Sequence, residues 1–129
     1  ATDKQALVSA RVGQGQFRTS VLEMWDNRCA VTGSRTLSAI RASHIRAWRE
    51  AANDERLDPK NGLPLVASID ALFDAGLISF QSSGKMIVSP KVNKAERQIF
   101  GLANASLRKK PTARTAKYLA FHRRKHGFE

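Results

Sequence analysis

Ser43-His44-Ile45, then Asn61-Gly62-Leu63, then Ile69-Asp70-Ala71-Leu72-Phe73-Asp74-Ala75-Gly76 are the three pieces that set the fold of this chain. Residues 37–45 alternate loosely and predict a strand with His44 near its end. Residues 63–66 predict a second short strand. Pro64 has no N–H for a ladder, so that strand lies at an edge or is irregular. Ser68 offers an N-cap for a helix over 69–75, and Gly76 a stop. Residues 46–60 are charged and poor in β-formers, so they read as a long loop with at most a helical turn; loops of such length in a small domain often carry function. Strand, long loop, strand and helix make one ββα unit over about residues 37–76. It gathers His44, Asn61, Asp70 and Asp74.

Asp70 and Asp74 are four residues apart, which stacks both on one helix face. An acidic pair of this kind, taken alone, is most often a solvated surface. Here Ile69, Leu72 and Phe73 make the other faces apolar. The helix is then largely packed, and its two acids share the one polar stripe. Two carboxylates so close repel unless a cation lies between them, and oxygen ligands favour Mg²⁺ or Mn²⁺. Phosphodiester hydrolysis needs a water deprotonated near neutral pH, for which a His such as His44 has the matching pKa. It also needs a cation for the charge that builds on the phosphate. Asn61 before Gly62 is a turn on a bland reading. On a functional reading its amide holds the loop or the His, or coordinates the metal.

On either side of this unit the chain punctuates itself clearly. Residues 14–26 predict a helix with Phe17, Val21, Leu22, Met24 and Trp25 on its apolar face. Asp26-Asn27-Arg28 breaks it, and Cys29-Ala30-Val31 runs into a turn at Thr32-Gly33-Ser34. Residues 77–80 and 85–88 predict a β-hairpin. Asn93-Lys94-Ala95-Glu96 reads as a capping box opening a helix that carries Ile99, Phe100 and Leu102. Residues 112–125 predict a last, very basic helix. There are no internal repeats and no low-complexity linker.

The length of 129 residues suits one domain, 1–129, able to bury a core without staples. Lys and Arg number 22 against 11 acids, a net charge of +11 that points to a phosphate-rich partner. No apolar run is long enough for a membrane span and no basic amphipathic helix with a continuous apolar face is present, which argues against a membrane partner. The first residues are polar, unlike a signal peptide, and the chain begins at Ala1 without Met, as a processed chain or an excised domain would. One cysteine, Cys29, excludes an internal disulfide and a multi-cysteine zinc site, and fits a reducing cytoplasm. The candidates for phosphate contact are Arg11, Arg18, Arg46 and Arg49, and the tail from Arg108 through Arg114, Lys117, Arg123 and Arg124 to Lys125. Arg46 and Arg49, directly after His44, stand nearest the chemistry. Trp25 and Trp48 read as core.

Taken together, these motifs resemble the HNH endonuclease family, whose ββα-metal motif has His, Asn and His in this order. The match is closest to a bacterial branch with Cys29-Ala30-Val31-Thr32-Gly33, Ala42-Ser43-His44-Ile45 with Trp48, Asn61-Gly62-Leu63, and Leu72 through Phe80. The likeness begins near Arg11-Val12-Gly13-Gln14, and Tyr118-Leu119-x-x-His122-Arg123 extends it to the end. The resemblance implies an α+β fold with an N-terminal helix, a hairpin after the motif helix and basic C-terminal helices. It implies His44 as general base and Asn61 as orienter or ligand. Asp70 takes the place of the last His of the family name, and Asp74 lies one turn later. Ser43 stands where many relatives carry an Asp or His ligand, and the acids harden the site toward Mg²⁺ or Mn²⁺. The implied activity is metal-dependent cleavage of double-stranded DNA, leaving 5′-phosphate and 3′-hydroxyl ends. The expected DNA contacts are Arg18, Arg46, Arg49, Arg123 and Arg124. Sequence selectivity would come from a fused module recognising modified DNA in a restriction system, and a homodimer would supply the second strand's cut. The rival readings are a basic DNA-binding module with a decayed site, a secreted nuclease toxin, and, less favoured, cleavage of RNA.

Overall fold

The backbone ladder that organises the protein joins β1 (Ile40–His44) to β2 (Gly62–Val66), antiparallel, with His44 opposite Gly62 and Ile40 opposite Val66. It was obtained as a computed structural model that describes residues 2–129. In chain order the helices are α1 (Asp3–Met24), α2 (Asn53–Arg56), α3 (Ala67–Asp74), α4 (Lys94–Ile99) and α5 (Ala113–Lys125). A second hairpin pairs β3 (Ile78–Phe80) with β4 (Met86–Val88). The fold is thus α+β, with a ββα core from β1 to α3. Among the described residues no helix is long and apolar enough to cross a membrane.

Both faces of β2 are covered, which explains its apolar run. Leu63 and Leu65 join Ile69, Leu72 and Phe73 of α3 in the main core. Gly62 lies against α1 on the other face. Pro64 keeps its place because its carbonyl is used, accepting from Ala30 N–H at 2.7 Å. Cys29 serves packing: its buried sulfur accepts from the N–H of Thr32 at 3.3 Å and of Val66 at 3.4 Å. The 29–33 turn is thereby pinned to the end of β2.

Gly76 ends α3 in a Schellman motif. Its φ is +73°, and Gly76 N–H reaches Phe73 O at 3.1 Å while Leu77 N–H reaches Leu72 O at 2.9 Å. The start of α3 differs from expectation. Val66 is the N-cap, with no side-chain cap bond, and Ser68 lies inside the first turn. The strand's last residue leads straight into the helix, leaving no linker for a polar cap.

α1 extends eleven residues further toward the N-terminus than residues 14–26, from Asp3 rather than Gln14. A capping box between Thr2 and Gln5 starts it. That extension is exposed and has no core-facing periodicity to read. The loop 46–60 holds three short helical turns, at Trp48–Glu50, Asn53–Arg56 and Pro59–Asn61. β1 begins at Ile40 because residues 37–39 form a 3₁₀ turn. In α4, Asn93 caps the Glu96 N–H at 2.9 Å, but Ile99 and Phe100 are exposed and only Leu102, past the helix end, is buried.

Gly62 gives a direct test of this packing. A Cβ there would lie 2.5 Å from Val21 Cγ2 and 2.6 Å from Phe17 Cζ, both on α1. Gly62→Ala must move both of them, at a cost of about 1–3 kcal/mol. Phe17 stacks on His44, so the displacement reaches the site. Chemical denaturation of Gly62→Ala should show the lower stability; an unchanged midpoint would refute this packing.

Candidate active site

His44 ends β1 and is fixed on three sides. Its ring stacks on Phe17 with centroids 4.1 Å apart and planes 3° from parallel. Trp48 meets it edge-on at 5.7 Å. Its Nε2 lies 2.8 Å from the carbonyl oxygen of Arg56. A carbonyl only accepts, so Nε2 carries the hydrogen and Nδ1 keeps its lone pair. Burial lowers the imidazole pKa, and the bond to the Arg56 carbonyl offsets part of that. The neutral ring, with a bare Nδ1, is the form these surroundings favour at neutral pH.

A cleft of about 430 Å³ is lined by His44, Ser43, Asp70 and Asp74, together with Arg18, Arg41 and Trp48. β1, the loop after it and the exposed stripe of α3 thus converge on one opening. Neither Asp70 nor Asp74 takes part in an ion pair among the described residues. Arg18 lines the cleft but is tied back, donating to the carbonyls of Ile40 at 2.7 Å and Leu37 at 2.8 Å. Both acids thus line the same cleft with no ion pair to neutralise them among the described residues.

The donor set limits which cation they could hold. Among the described residues no group of three or more His, Cys, Asp or Glu side chains comes together to hold a metal, so a closed zinc-type cage is not built. A hard ion that keeps several waters needs only one or two carboxylates plus a substrate phosphate. Asp70 and Asp74 fit that requirement.

Asn61 does not join them. It is fully buried. Its Oδ1 accepts from Arg46 N–H at 2.8 Å, and its Nδ2 donates to the carbonyls of Arg46 and Glu55, each at 3.2 Å. Of the roles expected for it, the geometry matches holding the loop and not ligation, because the amide faces the main chain of the loop. That loop supplies the Arg56 carbonyl that orients His44.

The arginines divide in the same way. Arg49 is exposed on the 3₁₀ turn after His44, and Arg124 is exposed on α5. Arg46 turns away from the cleft: its guanidinium lies over Phe121 at 4.2 Å and 3.6 Å from Glu55. Arg123 is used inside the protein, contrary to its expected DNA contact. It is buried, with Nε 2.6 Å from Glu129 Oε1 and Nη1 donating to Phe80 O at 2.8 Å. Its neighbour His122 is also structural, with Nε2 donating to Phe73 O at 2.9 Å, Nδ1 facing Ser79 Oγ at 2.8 Å, and a pKa pushed down to about 4 by burial. The Tyr118-to-Arg123 motif therefore binds α5 to the second hairpin and α3.

Several contributors escaped the sequence reading. Arg41 is exposed on β1 and lines the cleft; its place three residues before His44 was the available signal. Trp48 forms cleft wall and not core, carrying the Arg56 guanidinium 5.0 Å above its ring. The Arg56 carbonyl has no sequence signal, since every residue has one.

Residues 29–81 match the family model described as HNH endonuclease. No curated protein matches the chain.

Proposed function

With residues 29–81 belonging to the HNH endonuclease family, we infer that the chain is a divalent-metal-dependent endonuclease hydrolysing DNA phosphodiester bonds with low base selectivity. We read residues 1–129 as one such domain, the cytoplasmic nuclease part of a bacterial, modification-dependent restriction enzyme. One cleft, holding a neutral His44 and two uncompensated acids, carries the activity reading. The restriction role rests on the likeness of the motifs to that branch.

The residues divide the work as follows. His44 Nδ1 accepts a proton from a water aligned on the phosphate. Phe17, Trp48 and the Arg56 carbonyl keep the ring in that pose, and Asn61 keeps the carbonyl in place. Arg41 and Arg49 meet backbone phosphates. Asp70 and Asp74 would hold Mg²⁺ or Mn²⁺, which when bound supplies charge neutralisation at the phosphate and the leaving 3′ oxygen.

A binding-only module is the second reading, favoured by Ser43 in place of a third ligand beside the base. Nicking of supercoiled plasmid separates the two. Cleavage that needs Mg²⁺ and stops with a chelator is expected. Asp70→Asn should raise the Mg²⁺ demand by more than the ~10–100-fold that loss of an outer-sphere partner costs. Full binding with no nicking at any Mg²⁺ or Mn²⁺ concentration would leave the second reading standing.

A further inference from the structure

A second opening, of about 400 Å³, lies between α5 and the 46–61 loop and shares no lining residue with the active-site cleft. From α5 it takes Arg114, Lys117, Phe121 and Arg124, which fall at i, i+3, i+7 and i+10. That spacing is one stripe along a helix, about 15 Å long. Arg46 forms the facing side, its guanidinium over the Phe121 ring at 4.2 Å. Arg46 Nε is buried there and finds no acceptor. Four cations line the groove against one acid, Glu55.

Not all of these charges are equally open. Arg46 is shared with Glu55 at 3.6 Å, and Arg114 with Asp58 at 2.7 Å, though the Arg114 side chain stays 63% exposed. Lys117 and Arg124 are exposed and take part in no ion pair among the described residues. Phe121 and Tyr118 supply apolar walls, and a one-sign cleft with low-dielectric walls focuses its field on a ligand. A duplex carries one charge about every 1.7 Å of axis, so a stripe of this length faces several phosphates.

We propose that this groove is a phosphodiester-backbone site, separate from the catalytic cleft, that grips the substrate duplex away from the scissile phosphate. The identity of the polyanion rests on the nuclease reading; the groove's preference for phosphate rests on its own residues. Lys117 and Arg124 carry the grip, while Arg46 and Arg114 keep a share of their charge on the loop.

The test uses full-chain His44→Ala protein, so that binding is read without cleavage, and a short fluorescent duplex titrated across KCl concentrations. Adding Lys117→Gln and Arg124→Gln should weaken binding at least about tenfold and reduce the salt slope by about 2, near 0.9 per phosphate contact. Removing two charges elsewhere, Lys85→Gln and Lys94→Gln, should leave the slope in place. Equal effects from the two pairs, or an unchanged slope with Lys117 and Arg124 neutralised, would overturn the proposal. The two readings fail separately. A wild-type protein that binds with full slope yet never nicks plasmid sinks the nuclease and leaves the groove. One that nicks while ignoring Lys117 and Arg124 sinks only the groove.

Discussion

His44→Ala is expected to lose plasmid nicking by ~10²–10⁴-fold, the usual worth of a positioned general base, while keeping its affinity for duplex DNA. The separation follows from geometry. His44 lines the cleft and is held by Phe17, Trp48 and the Arg56 carbonyl, with Nδ1 left without a protein partner among the described residues. The cations around it belong to other residues. The wild-type pH profile carries the same signature. Burial lowers the His44 pKa, only partly offset by the Arg56 bond, so the proton-accepting neutral form persists to lower pH than in a free imidazole. The rate should rise with pH and level off, its inflection falling below the ordinary His value of about 6.5. His44→Ala should lack that limb in whatever activity remains. Wild-type-like nicking by the mutant, or an inflection above the ordinary value, would remove His44 from the role of base.

Asn61→Ala should cost the protein stability and catalysis together. It strands Arg46 N–H and the carbonyls of Arg46 and Glu55 in the interior. A buried polar group left unsatisfied costs about 1–3 kcal/mol, so the loss is on the order of 3 kcal/mol and the melting temperature falls by roughly 10 °C. The loop that carries the Arg56 carbonyl loosens, and the His44 ring loses its orientation. Activity measured well below the melting point should fall, with the Mg²⁺ concentration for half-maximal rate unchanged. A raised Mg²⁺ requirement with an unchanged melting temperature would instead make Asn61 a ligand.

The same loop is braced from outside by α5. Thr115 Oγ1 donates to Lys60 O at 2.8 Å, Tyr118 Oη donates to Asp58 Oδ2 at 2.9 Å, and Lys125 pairs with Glu50. The basic C-terminal helix is therefore a support for the 46–61 loop as well as a source of charge. This is why residues in one basic run have different fates: Arg123 faces inward to Phe80 O, while Arg124 next to it faces solvent. Charge and spacing alone did not separate them, because the acceptor for Arg123 lies 43 residues back in the chain.

Local chemistry was enough for the ββα unit, the second hairpin, the αL stop at Gly76 and the placing of Asp70 and Asp74 along one cleft. Each follows from residues a few positions apart, whose propensities and periodicities act before any distant contact forms. The tautomer of His44, the inward turn of Asn61 and Arg123, and the entry of Arg41 and Trp48 into the cleft needed the packed chain. Those outcomes rest on main-chain carbonyls and apolar faces delivered by remote segments, and a carbonyl leaves no mark in a residue's identity.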